Sequence, residues 1–214
     1  MRNRLSGALL MLVAMTAIAC AGGSGPRLPT SQPPASPSTS VQDLFEAGRF
    51  DEVVGRVSSM GDAAPRDLWF GGLSAAAMRR PAEARAFFDR VAASGGEEWR
   101  AAARLAIALI AGDPSEIDAA RAAAGAHPAH PFVQYELGLA HLNRDAPAEA
   151  AAALDRSAAA DPSLAYAYYY AGLAYQRMNR TDLMANRFDT FLRLAPDAPQ
   201  RPEVQSVMST IRGQ

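Results

Sequence analysis

The stretch YELGLAHLNRDAPAEAAAALDRSAAADP, residues 135–162, is followed 34 residues later by YYAGLAYQRMNRTDLMANRFDTFLRLAP, residues 169–196. Gly138-Leu139-Ala140 aligns with Gly172-Leu173-Ala174, and each copy ends at a proline. Alanine is the best helix former, and proline cannot continue a helix. A period of this length therefore predicts a repeat built from two short helices.

The repeat extends upstream of these two copies. A shift of 66 residues places Gly72-Leu73 on Gly138-Leu139 and Pro81–Ala84 on Pro147–Ala150. Sixty-six is two periods of 34 less two residues, so an irregular unit lies between the matching ones. The aligned prolines suit the first position of a helix, which needs no backbone donor. The sequence therefore predicts a stack of helix pairs.

The repeat resembles the tetratricopeptide repeat, a helix–turn–helix unit of 34 residues. That family has small residues where two helices approach closely, a large apolar residue beside them and a proline at the end of the second helix. The residues of this chain that match the pattern, and that we expect to pack the repeats, are Gly72, Ala84, Phe88, Gly138, Ala150, Leu154, Pro162, Gly172, Phe188 and Pro196. The resemblance implies an all-α fold: a right-handed α-solenoid of about four to five repeats with a C-terminal capping helix.

The alignment divides the chain into units. We expect a partial first unit from Thr39 to about Met60, four full units at about 64–96, 97–130, 131–163 and 164–198, and a last helix near 202–212. Arg104 stands where the third unit should have a small residue. Met184 is large for the alanine position of the fifth unit, which predicts looser packing there.

The N-terminal residues have the features of a bacterial export signal. Residues 1–19 have Arg2 and Arg4 near the start and continue with an uncharged apolar stretch, as in a secretory signal peptide. Ala17-Ile18-Ala19-Cys20 resembles the lipobox of bacterial lipoproteins, although the first position of that motif is usually leucine. The resemblance implies that Cys20, the only cysteine, is lipidated. The alternative is an ordinary signal peptide whose last residue is cysteine.

A linker separates Cys20 from the repeats. Residues 20–38 are rich in glycine, proline and serine, so they cannot bury enough surface to fold and would act as a flexible tether. More than one acyl group gives stable membrane anchoring. Ala21 differs from the aspartate that tends to retain lipoproteins in the inner membrane. The resemblance therefore implies an outer-membrane lipid anchor that holds the repeat domain, residues 39–214, on the periplasmic side.

Composition excludes several classes of protein. The chain has 21 basic and 22 acidic residues, and every basic residue is arginine. It has no excess of positive charge, so we expect no nucleic-acid partner. A single cysteine excludes a disulfide scaffold, and a single apolar stretch excludes a protein with several membrane spans.

Tetratricopeptide stacks usually bind partners on the concave face, which the first helix of each repeat lines. The residues that we expect to form such a groove for a peptide or helix are Trp69, Leu73, Phe132, Tyr135, Leu139, Leu142, Asn143, Tyr166, Tyr169, Leu173 and Arg177. The alternative is that these side chains pack between repeats. Tyr166, Tyr168, Tyr169 and Tyr170 span more than one helical turn, so at least one ring must reach a groove or solvent.

The sequence has no pattern typical of a catalytic or metal site. His127 and His130 lie in a proline-bounded turn and His141 lies in the following helix, a spacing that does not match a zinc site. HExxH, a glycine-rich phosphate loop and GxSxG are all absent. We therefore expect no enzyme activity, no cofactor, no metal and no small-molecule substrate.

These features predict a lipid-anchored protein–protein interaction scaffold of the bacterial cell envelope, with another envelope protein as its partner. The resemblance extends to outer-membrane repeat lipoproteins that help to assemble pilus or outer-membrane barrel complexes. The alternative is an accessory or regulatory subunit of a peptidoglycan-active enzyme. No residue of the sequence distinguishes between these partners.

Overall fold

The computed structural model of the protein describes residues 39–213. The predicted signal peptide, Cys20 and the linker lie outside the described residues. Within them the secondary structure is helical, and no helix in this range is long and apolar enough to span a bilayer.

Eleven helices follow one another along the described residues. They are α1 Val41–Glu46, α2 Phe50–Ser59, α3 Pro65–Ala77, α4 Pro81–Ser94, α5 Glu97–Ala111, α6 Pro114–Ala124, α7 Pro131–Asn143, α8 Pro147–Ala160, α9 Ala165–Arg177, α10 Thr181–Leu194 and α11 Arg201–Arg212. Proline lies in the first turn of six of these eleven helices: α3, α4, α6, α7, α8 and α11.

The helices pack as a stack of pairs. Each odd-numbered helix packs against the even-numbered helix that follows it, and the first helices of successive pairs are also in contact. α11 packs on α10 and buries Val204 and Met208 at the end of the stack. The predicted fold class is confirmed: an all-α solenoid of helix–turn–helix repeats that ends in a capping helix.

The close approaches within each pair lie where the repeats predict them. A Cβ added to Gly72 would lie 2.7 Å from the ring of Phe88, and one added to Gly138 would lie 2.4 Å from Leu154. Ala84 and Ala150 are completely buried in the same contacts. Small residues are therefore needed for the helix axes to approach.

The ends of the helices also follow the repeat pattern. Pro162 and Pro196 lie just after α8 and α10, where proline ends a helix. Arg79, Asp145 and Asn179 occupy the same place in three of the turns and have φ of 58°, 55° and 55°. The tight turn between the helices of a pair therefore uses one left-handed residue.

The irregular positions are accommodated in two ways. Arg104 is exposed, because α5 turns this position away from the contact with its partner helix. Met184 is buried, with 5% of its surface exposed, so the larger side chain fills the position that alanine usually takes.

Candidate functional site

The face lined by the first helices, called the inner face here, is largely closed. Seven of the eleven predicted groove residues are buried: Trp69, Leu73, Phe132, Tyr135, Leu142, Tyr166 and Tyr169. The cavity among them has a volume of about 10 Å³, which is room for about one water molecule. In this conformation these side chains pack against one another, which agrees with the alternative that they pack between repeats.

Aromatic rings from non-adjacent pairs meet at the centre of the inner face. The ring centroids of Trp69 on α3 and Phe132 on α7 are 5.4 Å apart, although α4, α5 and α6 lie between these helices in the chain. Phe70 and Trp99 also contact Phe132, at 6.1 Å and 4.8 Å. These separations are typical of favourable aromatic pairs. The stack therefore curves tightly enough for its inner face to form a core.

α1 covers one end of this aromatic core. The ring of Phe45 lies 5.2 Å from Phe70 on α3 and 5.2 Å from Tyr166 on α9, so one side chain bridges the first and fifth units. Val41 and Leu44 are also buried. The repeat pattern did not predict this contact, since α1 belongs to a partial unit and its partner lies more than a hundred residues away.

Polar side chains hold α1 to the turn before α9. Gln42 donates a hydrogen bond to the backbone oxygen of Ser163 at 2.7 Å. Arg66 donates to Gln42 at 2.6 Å and to the hydroxyl of Ser163 at 3.1 Å, and it forms an ion pair with Asp161. We call Gln42, Arg66, Asp161 and Ser163 the clasp. Although burial raises the pKa of Asp161, hydrogen bonds from Ser163 and Arg66 hold it below its ordinary value.

The turn after α1 contacts the other end of the stack as well. A Cβ added to Gly48 would lie 2.4 Å from Cγ of Pro199, which precedes α11. Gly48 has φ of 72°, where glycine is favoured. The N-terminal unit therefore touches both α9 and the segment before α11, and it joins the two ends of the stack.

The four tyrosines in the first half of α9, Tyr166, Tyr168, Tyr169 and Tyr170, do not all face the core, as predicted. Tyr168 is half-buried on the opposite side of the helix, and its hydroxyl lies 3.5 Å from the backbone oxygen of Pro162. Tyr166 donates to the side-chain oxygen of Gln200 at 2.7 Å. Burial raises the pKa of Tyr170 well above its ordinary value, so this hydroxyl remains neutral.

Two carboxyl groups are buried beside these rings. Burial raises the pKa of Glu136 on α7 from 4.5 to about 8, and Oε1 of this side chain has no hydrogen-bond partner within the described residues. Burial also raises the pKa of Glu46 on α1 to about 7, although hydrogen bonds from Gln42 and the backbone N–H of Ala165 act in the opposite direction. Both groups resist ionisation in this conformation.

Four predicted groove residues in the C-terminal halves of α7 and α9 remain accessible. Leu139 and Leu173 are half-buried, and Asn143 and Arg177 are exposed. Arg177 donates to the backbone oxygen of Leu142 at 3.0 Å, which caps α7. We call Leu139, Asn143, Leu173 and Arg177 the rim.

The histidines have structural contacts. Nδ1 of His130 accepts a hydrogen bond from the backbone N–H of Val133 at the start of α7, and its ring packs edge-on against Trp99 at 4.7 Å. Burial lowers the pKa of His130 and of His141. Among residues 39–213, no group of three or more His, Cys, Asp or Glu side chains is placed to hold a metal ion.

None of the protein-family models or curated proteins compared with the chain matches it. Among solved structures, one of MamA has a TM-score of 0.43 and 16% identity, over 77% of this chain and 92% of MamA. The structure titled "YrrB: a TPR protein with an unusual peptide-binding site" has a TM-score of 0.40 and 15% identity, over 73% and 84% of the two chains. A chain of the APC/C Cut9–Hcn1 hetero-tetramer has a TM-score of 0.41 and 12% identity, over 80% of this chain and 41% of that one. Identities and TM-scores this low do not indicate a partner or an activity for this chain.

Proposed function

We propose that the protein is a lipid-anchored protein–protein interaction scaffold of the bacterial cell envelope. Acylated Cys20 would hold it in the outer membrane, and residues 21–38 would connect the anchor to the repeats. The inner face of the stack would bind a peptide or helix of an envelope protein and so serve the assembly of an outer-membrane or pilus complex.

The observation that carries this proposal is that the inner face already holds a helix. α1 is seated there by the ring of Phe45 and by the polar clasp, with its apolar side towards the core. A surface of aromatic rings flanked by hydrogen-bonding groups is the kind that binds amphipathic helices in other proteins. The rim provides further accessible apolar and polar contacts beside it.

The anchor is tested by growing the native host with an alkyne fatty acid and comparing the wild-type chain with Cys20→Ser. The wild-type chain should carry the label and sediment with the outer membrane, because two or more acyl chains hold a protein stably in a bilayer. The serine variant should lose both properties. Equal labelling of the two chains would contradict the anchor.

The same cells test partner binding. A photo-crosslinking amino acid at Asn143, on the rim, should join the protein to an envelope protein. The same amino acid at Arg85 or Glu149, which are exposed on the second helices α4 and α8, should give no such product. These two positions are matched controls because all three side chains are on helices and accessible. Cross-linking at the controls alone would contradict the role of the inner face.

A further inference from the structure

α1 depends on the inner face for its position. It has only six residues, Val41–Glu46, and a helix this short is unstable by itself. The capping box between Ser40 and Asp43 supports only its first turn. Its three buried apolar side chains lie on one side, so α1 is an amphipathic segment that is bound by the rest of the stack.

The position of Glu46 weakens this binding. Its side chain enters the core beside Tyr166, with 8% of the residue exposed. The groups that face it are Asp43 of α1, Arg66 of α3 and Tyr166 of α9. Burial disfavours the charged carboxylate, so ionisation of Glu46 favours any conformation in which it reaches water.

The start of α9 provides a polar contact that α1 satisfies. The residue before α9, Leu164, has no side chain that can cap the helix. Glu46 instead accepts a hydrogen bond from the backbone N–H of Ala165. A carboxyl oxygen is a suitable acceptor at this place because the first N–H groups of a helix have no partner within the helix.

We propose that α1 is a displaceable cover of the inner face, and that the partner is an amphipathic helix of the same chemistry that replaces it. The inference rests on the proposed function and names the class of partner. Such a helix has three apolar side chains at the spacing of Val41, Leu44 and Phe45, followed directly by a carboxylate. Its apolar side takes the place of Phe45 between Phe70 and Tyr166, and its carboxylate meets Ala165 and Arg66.

The cover sets the affinity for the partner. A helix from outside reaches the inner face only in molecules whose α1 has left it, so the apparent affinity falls in proportion to the open fraction. Weakening α1 raises this fraction, and locking α1 in place removes it.

A peptide of residues 39–49 of this chain, which contains α1 and not α2, carries a fluorophore and is the probe. It is titrated into the full chain with Cys20→Ser, and into the same chain with Phe45→Ala. We expect the Phe45→Ala chain to bind the probe at least about tenfold more tightly, because its own cover is weaker. A probe that itself carries Phe45→Ala should bind neither chain. Equal binding of the probe by both chains would overturn the proposal.

A disulfide lock keeps the test valid even if Phe45→Ala unfolds. A Cβ at Gly48 would lie 3.8 Å from Cβ of Pro199, a separation that suits a disulfide. In the full chain with Cys20→Ser, Gly48→Cys and Pro199→Cys, the oxidised form should bind the probe at least about tenfold more weakly than the reduced form. Gly48→Cys alone is the matched control, since it carries the same backbone strain. Equal binding by oxidised and reduced forms would also overturn the proposal.

Hydrogen exchange separates a displaceable cover from a merely structural helix. Amides at the end of α1, such as Ala47 and Arg49, should be protected at least about tenfold less than those of α7–α10, because they open locally. Equal protection would show that α1 leaves only on global unfolding and would overturn the proposal. These measurements use the purified chain and its own peptide. Their results are therefore independent of the envelope cross-links, which test the proposed function.

Discussion

Valine in place of Gly172 is expected to lower the free energy of unfolding by about 3 kcal/mol, measured by urea denaturation followed by far-UV circular dichroism. A Cβ at Gly172 would lie 2.4 Å from Cε1 of Phe188 on α10. Phe188 is 1% exposed, and its ring packs against Tyr169 at 6.2 Å, so no empty space is open to it. α9 and α10 must therefore move apart to accept the larger residue.

Gly55→Val is the matched control. Gly55 also lies within a helix, α2, but it is exposed and a Cβ there would have no neighbour within 4 Å. Its replacement should change stability by no more than about 0.5 kcal/mol, because valine and glycine differ little in helix propensity. If both variants lost the same stability, the contact with Phe188 would not be the cause.

A double variant tests the contact directly. Phe188→Ala alone should cost about 3–5 kcal/mol, since it leaves a cavity in the core. In the chain with both Gly172→Val and Phe188→Ala, the valine should occupy part of that space. The combined loss should therefore be smaller than the sum of the two single losses. Strict additivity would mean that the two residues do not interact.

The sequence predicts this contact because it lies within one repeat. Gly138 and Leu154, like Gly172 and Phe188, are separated by the same number of residues in successive units, so the period places both partners. The geometry of a helix pair is local, and it depends on two helices and one turn. For the same reason, the sequence predicts the helix pairs and the capping helix that the structure contains.

The closure of the inner face depends on contacts that the repeat period of the sequence does not predict. Whether Phe45 reaches Tyr166 depends on the sum of the rotations between all the units, including the irregular third unit, and each rotation is set by side-chain packing. The repeat pattern identified the aromatic residues of the inner face. It did not show that they meet one another, nor that Arg66 joins α3 to the turn before α9.

The repeat pattern also did not predict that the carboxyl group of Glu136 is buried. Charged residues of a helical stack are expected on solvated faces, and the ion pair of Arg85 with Asp89 at 3.8 Å fits that expectation. Glu136 instead lies on α7 between first helices, where the curvature of the stack excludes water. A single sequence shows the residue and does not show this curvature.

Glu136→Gln is expected to remove the part of the loss of stability with rising pH that is due to Glu136, and to leave the part that is due to Glu46. The pKa of Glu136 is raised from 4.5 to about 8 by burial, so the folded chain keeps this proton where the unfolded chain has lost it. Its contribution is constant below about pH 4.5, decreases from there to about pH 8, and is constant again above that. The decrease is on the order of 3 kcal/mol by pH 7. Glutamine cannot ionise, so the part of the slope that is due to Glu136 should disappear, whereas the part due to Glu46 should remain.

The measurement is the free energy of unfolding in urea at several pH values between about 5 and 8, as a difference between variant and wild type. The difference cancels the opposite contribution of His130, whose pKa is lowered by burial, and the contribution of Glu46, which has the same sign as that of Glu136. Glu149→Gln, on an exposed position of α8, is the control and should follow the wild-type curve. Because a buried amide can lower stability at every pH, only the slope tests the titration. Parallel curves for wild type and Glu136→Gln would mean that Glu136 reaches water in the folded chain, and that the inner face is more open than its packing indicates.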